Sequence, residues 1–324
     1  MQANLLLPLF SKQARRYQAI YYLLTGKRTV SNLSAGLAYQ LLPYFHFYPK
    51  LSQDDYQAAL QQLVEQHYAK IQATDKTIQL TSLGQVVQAR LLQRGFWPTT
   101  YNYWQDGDWQ LQWERLLLSV QVISNYQHHH AHYTPLATQP LVQNEIRHWF
   151  YRCGRTQQQQ FVEELSATTA QLTPNQANLL VNSLRSSSYP GVSDFQLSLS
   201  LSLTASELIL ARVTVLSAFL RKVQQFPQSA PLRQVFQFPT TILSLGSTRT
   251  YELWRSGQPW SEIVQHSYQK ESTLLEHLLE AAILMPDFDF DQPRLQQLVA
   301  ANPESYFGQR LLEIQELRQG VQDD

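Results

Sequence analysis

Thr248-Arg249-Thr250-Tyr251-Glu252-Leu253-Trp254-Arg255-Ser256-Gly257-Gln258-Pro259-Trp260 opens a stretch, Leu243 to Met285, that alternates helices with tight turns. Tyr251 and Trp254 share one side of a first helix, and Gly257 suits the left-handed residue of a turn. Pro259 fits a first helical turn, and Trp260, Ile263 and Val264 give a second helix its apolar face. After a break at Ser267-Tyr268-Gln269, Ser272 is a cap for a third helix. Leu274, Leu275, Leu278, Leu279 and Ala282 recur there at helical spacing. Three short helices in this order predict a helix-turn-helix, whose last helix commonly enters a DNA groove. This last helix carries Lys270 against Glu271, Glu276 and Glu280, a charge that phosphate repels.

Working back from this stretch, Phe226 to Pro231 reads as a boundary. Before it, Thr204 caps a helix from Ala205 to Val223. Phe195, Leu197, Leu199, Leu201 and Leu203 alternate strictly, which by period is a strand. The helical neighbourhood and the tolerance of leucine for helix leave helix open. Segments 109–126, 141–151, 157–165 and 174–184 have helical spacing. The histidines at 128, 129, 130 and 132 suggest divalent metal by residue type. No Cys or acid stands beside them, so a helix end complemented by partly charged His is the preferred reading and no metal is expected. Asp287-Phe288-Asp289-Phe290-Asp291 starts like a calcium loop, but Gln292 replaces its Gly and Leu298 its Glu. Beyond it, 293–300 and 305–319 predict small closing helices.

The N-terminal third is different. Ala14, Tyr17, Tyr21 and Leu24 align on one helix, and Val30 to Leu42 follows as another. Lys12, Arg15, Arg16, Lys27 and Arg28 lie around these helices. Tyr44-Phe45-His46-Phe47-Tyr48, between Pro43 and Pro49, suits packing, with base stacking as the sharper alternative. Ser52-Gln53-Asp54-Asp55 opens a capped helix that buries Tyr56, Leu60, Leu63, Val64 and Tyr68. Residues 69–72 and 77–80 alternate in period two about Ala73-Thr74-Asp75-Lys76, a β-hairpin. Leu80-Thr81-Ser82-Leu83-Gly84 then leads into a helix. Helix, hairpin and helix in this order look like the end of a winged-helix domain. Gln53, Gln57 and Gln61 would face outward, and glutamine pairs with adenine edges. Lys70 and Lys76 would meet phosphates. The alternative is a solvated helix face on a protein-docking module.

The chain has 324 residues, 25 Lys and Arg and 25 Asp and Glu, so no net charge draws it to nucleic acid. The charges are polarised. Residues 1–100 hold 10 basic against 4 acidic side chains, and residues 240–324 hold 6 against 13. Such a split predicts different partners for the two ends. One cysteine, Cys153, rules out an internal disulfide framework. The run Leu5 to Phe10 is short for a signal peptide and no run approaches a membrane span, which predicts a soluble cytoplasmic protein without a membrane partner. Phosphate loops, dinucleotide turns, His-Glu-x-x-His and Gly-x-Ser-x-Gly are all absent, so no cofactor and no enzymatic activity are expected. An enzyme with dispersed catalytic residues is the residual alternative.

Thr250 to Trp254 with Gly257, Glu262-Ile263, Lys270, Ser272-Thr273-Leu274 and His277-Leu278 resembles the helicase helix-turn-helix domain. That domain occurs in YpbB-like proteins of Gram-positive bacteria, whose genes lie beside a RecQ-type helicase gene, and in some RecQ-type helicases. Tyr21-Tyr22-Leu23-Leu24 with Gly26-Lys27-Arg28-Thr29, and Leu41 to Phe45, are similar to the same family. Ser267 and Gln269 stand where the family often has Arg and Leu, and only Lys270 matches. The resemblance implies a non-enzymatic accessory protein, linked to DNA and to a RecQ-type helicase.

The expected architecture is mainly α: a winged-helix-like domain over 1–96 with a small β-hairpin, a central helical domain over 97–236 and a C-terminal helix-turn-helix domain over 237–324. The DNA-binding candidates, for duplex or single-stranded DNA, are Lys12, Arg15, Arg16, Lys27, Arg28, Gln57, Gln61, Lys70 and Lys76. The partner-docking candidates are Lys270, Glu271, Thr273, Glu276, His277 and Glu280. A sequence-specific transcription regulator is the alternative function.

Overall fold

A computed structural model describes residues 2–130, 132–301 and 303–322. Ala131, inside the histidine run, lies outside them. The protein is mainly helical. A 3-10 helix, Ala3–Leu9, precedes β1 (Arg15–Arg16), α1 (Tyr17–Thr25) and α2 (Val30–Ala38). Then come α3 (Gln53–Glu65), β2 (Ala69–Gln72), β3 (Thr77–Leu80) and α4 (Ser82–Gln93). The three strands form a small antiparallel sheet of order β1-β3-β2. The middle of the chain supplies α5 (Tyr103–Asp106), α6 (Trp109–Gln127), α7 (Pro140–Arg152), α8 (Arg155–Ala170) and α9 (Pro174–Ser183). It continues through α10 (Asp194–Leu201), α11 (Ala205–Val223) and α12 (Pro231–Val235). The last stretch holds α13 (Leu245–Arg255), α14 (Trp260–Gln265), α15 (Glu271–Leu284), α16 (Pro293–Ala301) and α17 (Tyr306–Gln322).

These elements group into two compact units that are not consecutive in sequence. One contains residues 1–14, 52–71 and 78–238; the other contains 15–51, 72–77 and 239–324. The segments expected as one N-terminal domain, 1–96, are therefore shared between the two, and the segments 97–236 and 237–324 fall almost wholly into one each.

In the first unit, Leu5, Leu6, Leu7, Leu9 and Phe10 of the apolar run are buried, and the 3-10 helix packs on α3 and α4. Ser52 caps α3 by accepting from the Asp55 N–H, and Tyr56, Ala59, Leu60 and Leu63 form its buried side. The Leu80–Gly84 motif has a local physical cause. Thr81 caps α4, accepting from the Gly84 N–H and donating to the His67 carbonyl. A Cβ on Gly84 would lie 1.9 Å from the Tyr68 carbonyl oxygen, so only glycine lets the helix start this close to the β2 entry. Further along, α11 is buried through Leu210, Val213, Leu216, Phe219 and Leu220 and packs against α6, α8, α9 and α10. Trp149 of α7 sets its ring edge-on to Phe161 and donates its Nε1–H to the Pro231 carbonyl at 3.2 Å.

The alternating stretch 195–203 is helix over most of its length. Ser193 and Gln196 form a capping box, and residues two apart at alternate positions also fall four apart on a helix face. Leu197 is buried, while Phe195 and Leu199, four apart, point to solvent.

In the second unit, α1 ends at Gly26 in the left-handed region, φ 83°. Backbone N–H groups of His46 and Tyr48 bond the carbonyls of Leu23 and Leu24, which folds the aromatic loop back onto α1. Phe45 and Phe47 are buried, so packing is the role these rings take, and burial raises the Tyr48 hydroxyl pKa far above its ordinary value. In the same unit α2 packs on α15 and α17, and α13 packs on α15. Among the described residues no single helix is long and apolar enough to cross a membrane.

Candidate nucleic-acid and partner interfaces

The stretch expected as a helix-turn-helix holds three helices, α13, α14 and α15. Ser244 caps α13, Gly257 makes the first turn at φ 91°, and the second turn runs through Ser267 to Lys270. Lys270, rather than Ser272, sits at the start of α15, and no side chain caps that helix. Trp254 and Trp260 meet edge-on across the first turn, 6.0 Å between centroids. Arg294 lies over Trp254 and donates to the Trp254 and Gln258 carbonyls.

From Leu278 to Leu284 every residue of α15 is buried. A helix buried on all sides is a core helix. Arg318 completes the enclosure by donating to the carbonyls of Ala282, Met285 and Pro286. Only the first turns of α15 are open, with Lys270, Glu271, Ser272 and Glu276 exposed and Thr273 half-buried. Glu271 accepts from the Trp260 Nε1–H at 2.9 Å.

Two docking candidates face inward instead. His277 is half-buried, with Nδ1 2.8 Å from the Thr250 hydroxyl, and a Cβ on Gly246 would press on its ring at 2.8 Å. Burial lowers the His277 pKa, against the opposing pull of Glu280 and Glu276. Glu280 is buried, and its Oε1 accepts from Arg28 Nε at 3.1 Å, Arg28 Nη2 at 2.7 Å and the Ser244 N–H at 2.6 Å. Arg28 also donates to the Ile242 carbonyl. Arg28 and Glu280 were expected on separate surfaces; the structure commits each to the other inside one unit.

The remaining cations are dispersed. Within the second unit Arg15 lies over the Tyr39 ring, Lys27 stands 4.1 Å from the Tyr22 centroid, and Arg16 and Lys76 are exposed. Within the first unit, Lys12 and Lys70 line one groove of about 550 Å³ with His67, Gln79 and Gln85, and no carboxylate lines it. Gln57 and Gln61 are exposed on α3 but do not line that groove, and Gln61 donates to Glu65 at 3.3 Å.

A second groove of about 550 Å³ runs between α13, α14 and the turn before α15. Leu253, Ile263 and Leu274 line it, with Leu245 and Tyr268 fully presented to solvent at 90% and 106% exposure. Neither helical period nor charge pointed to these two. The signal was present in Tyr268, an aromatic ring in a break that no apolar stripe claims. No group of three or more His, Cys, Asp or Glu among the described residues is arranged to hold a metal ion.

The chain is similar to Protein YpbB of Bacillus subtilis (strain 168). Identity is 24% over 290 residues, covering 85% of this chain and 79% of the relative. The similarity to Protein YpbB therefore reaches into both units. No family model matches the chain, and no solved structure matches it.

Proposed function

We propose that this protein is a non-enzymatic accessory factor that docks a RecQ-type helicase and contacts DNA through separate surfaces. One observation carries the docking half: α15 is sealed in a core beyond Glu276, and its open turns carry two carboxylates against one lysine. A helix that reads DNA does so with its first turns in the major groove, where phosphates repel such a charge. A protein surface with apolar anchors and flanking cations fits better. Leu245, Leu253 and Tyr268 receive the anchors, and Glu271 and Glu276 meet the cations. The similarity to Protein YpbB is in keeping with this reading. The DNA half rests on Lys12 and Lys70, a pair of candidate cations that shares a groove lined by no carboxylate.

The test is a pull-down of the full chain with the RecQ-type helicase from the same organism. Tyr268→Ala and the pair Glu271→Lys/Glu276→Lys should each weaken capture at least tenfold, and Lys12→Glu/Lys70→Glu should leave it unchanged. Capture that is indifferent to the α13–α15 variants sinks the docking half. Duplex binding that is indifferent to the lysine variants sinks the DNA half.

A further inference from the structure

The first unit carries an aromatic cleft that neither surface above uses. It opens between α6 and α7, has a volume of about 590 Å³, and lies within the range typical of small-ligand pockets, about 300–1,000 Å³. Four rings line it: Tyr126, Tyr133, Phe150 and Tyr151. Tyr126 packs edge-on against Phe150, 5.1 Å between centroids, so these rings hold one another in place. Tyr151 is 77% exposed, Tyr126 49% and Tyr133 38%, so three aromatic faces are offered to solvent around one opening. Single exposed rings need no explanation, whereas a contiguous aromatic patch marks a binding site.

Arg147 is the formally charged side chain among the lining residues; His129 and His130 stand beside it, and no Asp or Glu lines the opening. Arg152, at the end of α7, and Arg155, at the start of α8, are also exposed. The nearest carboxylate on α7, Glu145, is held by Arg115 at 2.7 Å. Aromatic faces beside cations, with carboxylates withdrawn, form the surface that stacks bases and neutralises the phosphates between them. An apolar peptide would use the rings and leave the cations idle.

We propose that the α6–α7 cleft binds single-stranded DNA, with bases stacked on Tyr151 and Tyr126 and a phosphate on Arg147. The stacking chemistry stands independently of the helicase reading; the choice of DNA over RNA rests on it, because unpaired DNA is what a helicase accessory meets. The site also gives the histidine run a role, since His129 and His130 sit on its rim.

The experiment is fluorescence anisotropy of the full chain with labelled dT15, rU15 and a 15-base-pair duplex at several salt concentrations. Wild type should bind dT15 more tightly than the duplex. Tyr151→Ala and Tyr126→Ala should each weaken dT15 binding about 5- to 100-fold, the scale of one lost base stack. Tyr151→Phe and Tyr126→Phe keep the ring and should restore it. Arg147→Ala should reduce the slope of log affinity against log salt by about 0.7, one phosphate contact on a single strand. Helicase capture should be unaffected in all of these, which separates failure here from failure of the docking surface. Equal dT15 binding by the alanine variants overturns the proposal, as does a preference for duplex. Binding of rU15 without dT15 overturns the choice of DNA.

Discussion

Glu280→Ala is the perturbation that most directly tests how the second unit is held together. In the native chain Glu280 Oε1 takes three donors, two from Arg28 and one from the Ser244 N–H that starts α13. The pair joins residues 252 apart in sequence. Breaking a buried ion pair from one side costs about 3–5 kcal/mol, because the other charge is left unpaired. The Arg28 side chain is 26% exposed and the Glu280 side chain 11%, so Arg28 regains some water when its partner goes. That lowers the expected cost of Glu280→Ala to about 2–3 kcal/mol. Arg28→Ala should cost less, about 1–2 kcal/mol, because Glu280 keeps the Ser244 N–H. The two losses should not add, with a coupling of about 1–2 kcal/mol in the double variant. Native-state hydrogen exchange of the buried α15 amides reads this directly, since those amides exchange only when the unit opens. Exchange should rise roughly 30- to 140-fold in Glu280→Ala. Costs below about 0.5 kcal/mol, or strictly additive losses, refute the clamp. So does an Arg28→Ala chain that loses DNA affinity while keeping its stability, because that result makes Arg28 a phosphate contact.

Gly84→Ala should destabilise the first unit by about 1–3 kcal/mol in thermal melting, because the added methyl meets the Tyr68 carbonyl, a backbone atom that cannot turn aside; a neutral result refutes the close approach. Thr81→Ala should cost about 1 kcal/mol in the same assay through loss of the α4 cap. His277 has its pKa lowered by burial, so below the ordinary value of 6.5 the unfolded chain takes up a proton that the folded chain refuses. Stability of the second unit should therefore fall as pH drops through 6.5 toward the lowered value, and His277→Asn should flatten that slope in urea titrations at pH 5.5 and 7.5. Asp106 is 1% exposed, accepts from the Asn102 N–H and the Ser217 hydroxyl, and has its pKa raised chiefly by burial. Asp106→Ala should cost about 1–3 kcal/mol, and Asp106→Asn, which keeps an acceptor for both donors, should cost clearly less.

Local features were legible in the sequence because their causes are local. The β2–β3 hairpin followed from a period of two about a four-residue turn, and the α3 start from Ser52 with two acids behind it. The Leu80–Gly84 motif was recognisable as a pattern, although its reason, a helix start pressed on the Tyr68 carbonyl, needs the fold. Alternation at 195–203 left strand and helix both open, and the structure resolves it as helix, started by a capping box of Ser193 and Gln196. What the sequence could not convey is the sharing of a unit by residues 15–51 and 239–324. A salt bridge between positions 28 and 280 leaves no spacing to read. The α6–α7 cleft was hidden for a related reason: Tyr126 and Tyr151 lie on different helices, and each looks like an ordinary exposed ring until the fold brings both to one opening.

The charge polarity of the chain changes meaning in this fold. Along the sequence the N-terminal hundred residues are basic and the last eighty-five acidic, which invites two surfaces of opposite sign. Yet residues 15–51, with five cations and no carboxylate, belong to the same unit as the acidic end. That unit as a whole holds 12 basic against 14 acidic side chains, and the other 13 against 11, so neither carries a strong net field. Part of the polarity is consumed internally, as Arg28 and Glu280 show. Recognition by this protein must then come from local arrangement rather than from net charge, because fields of balanced charge are screened within about 10 Å. The three surfaces that survive this argument are local: a lysine pair without carboxylates, a cluster of rings beside Arg147, and the acidic opening turns of α15. The third is acidic because Glu271 and Glu276 stay exposed, while Glu280 is buried and paired with Arg28. Removing Arg28 would thus disturb the docking face through the position of α15, and not through any charge of its own on that face.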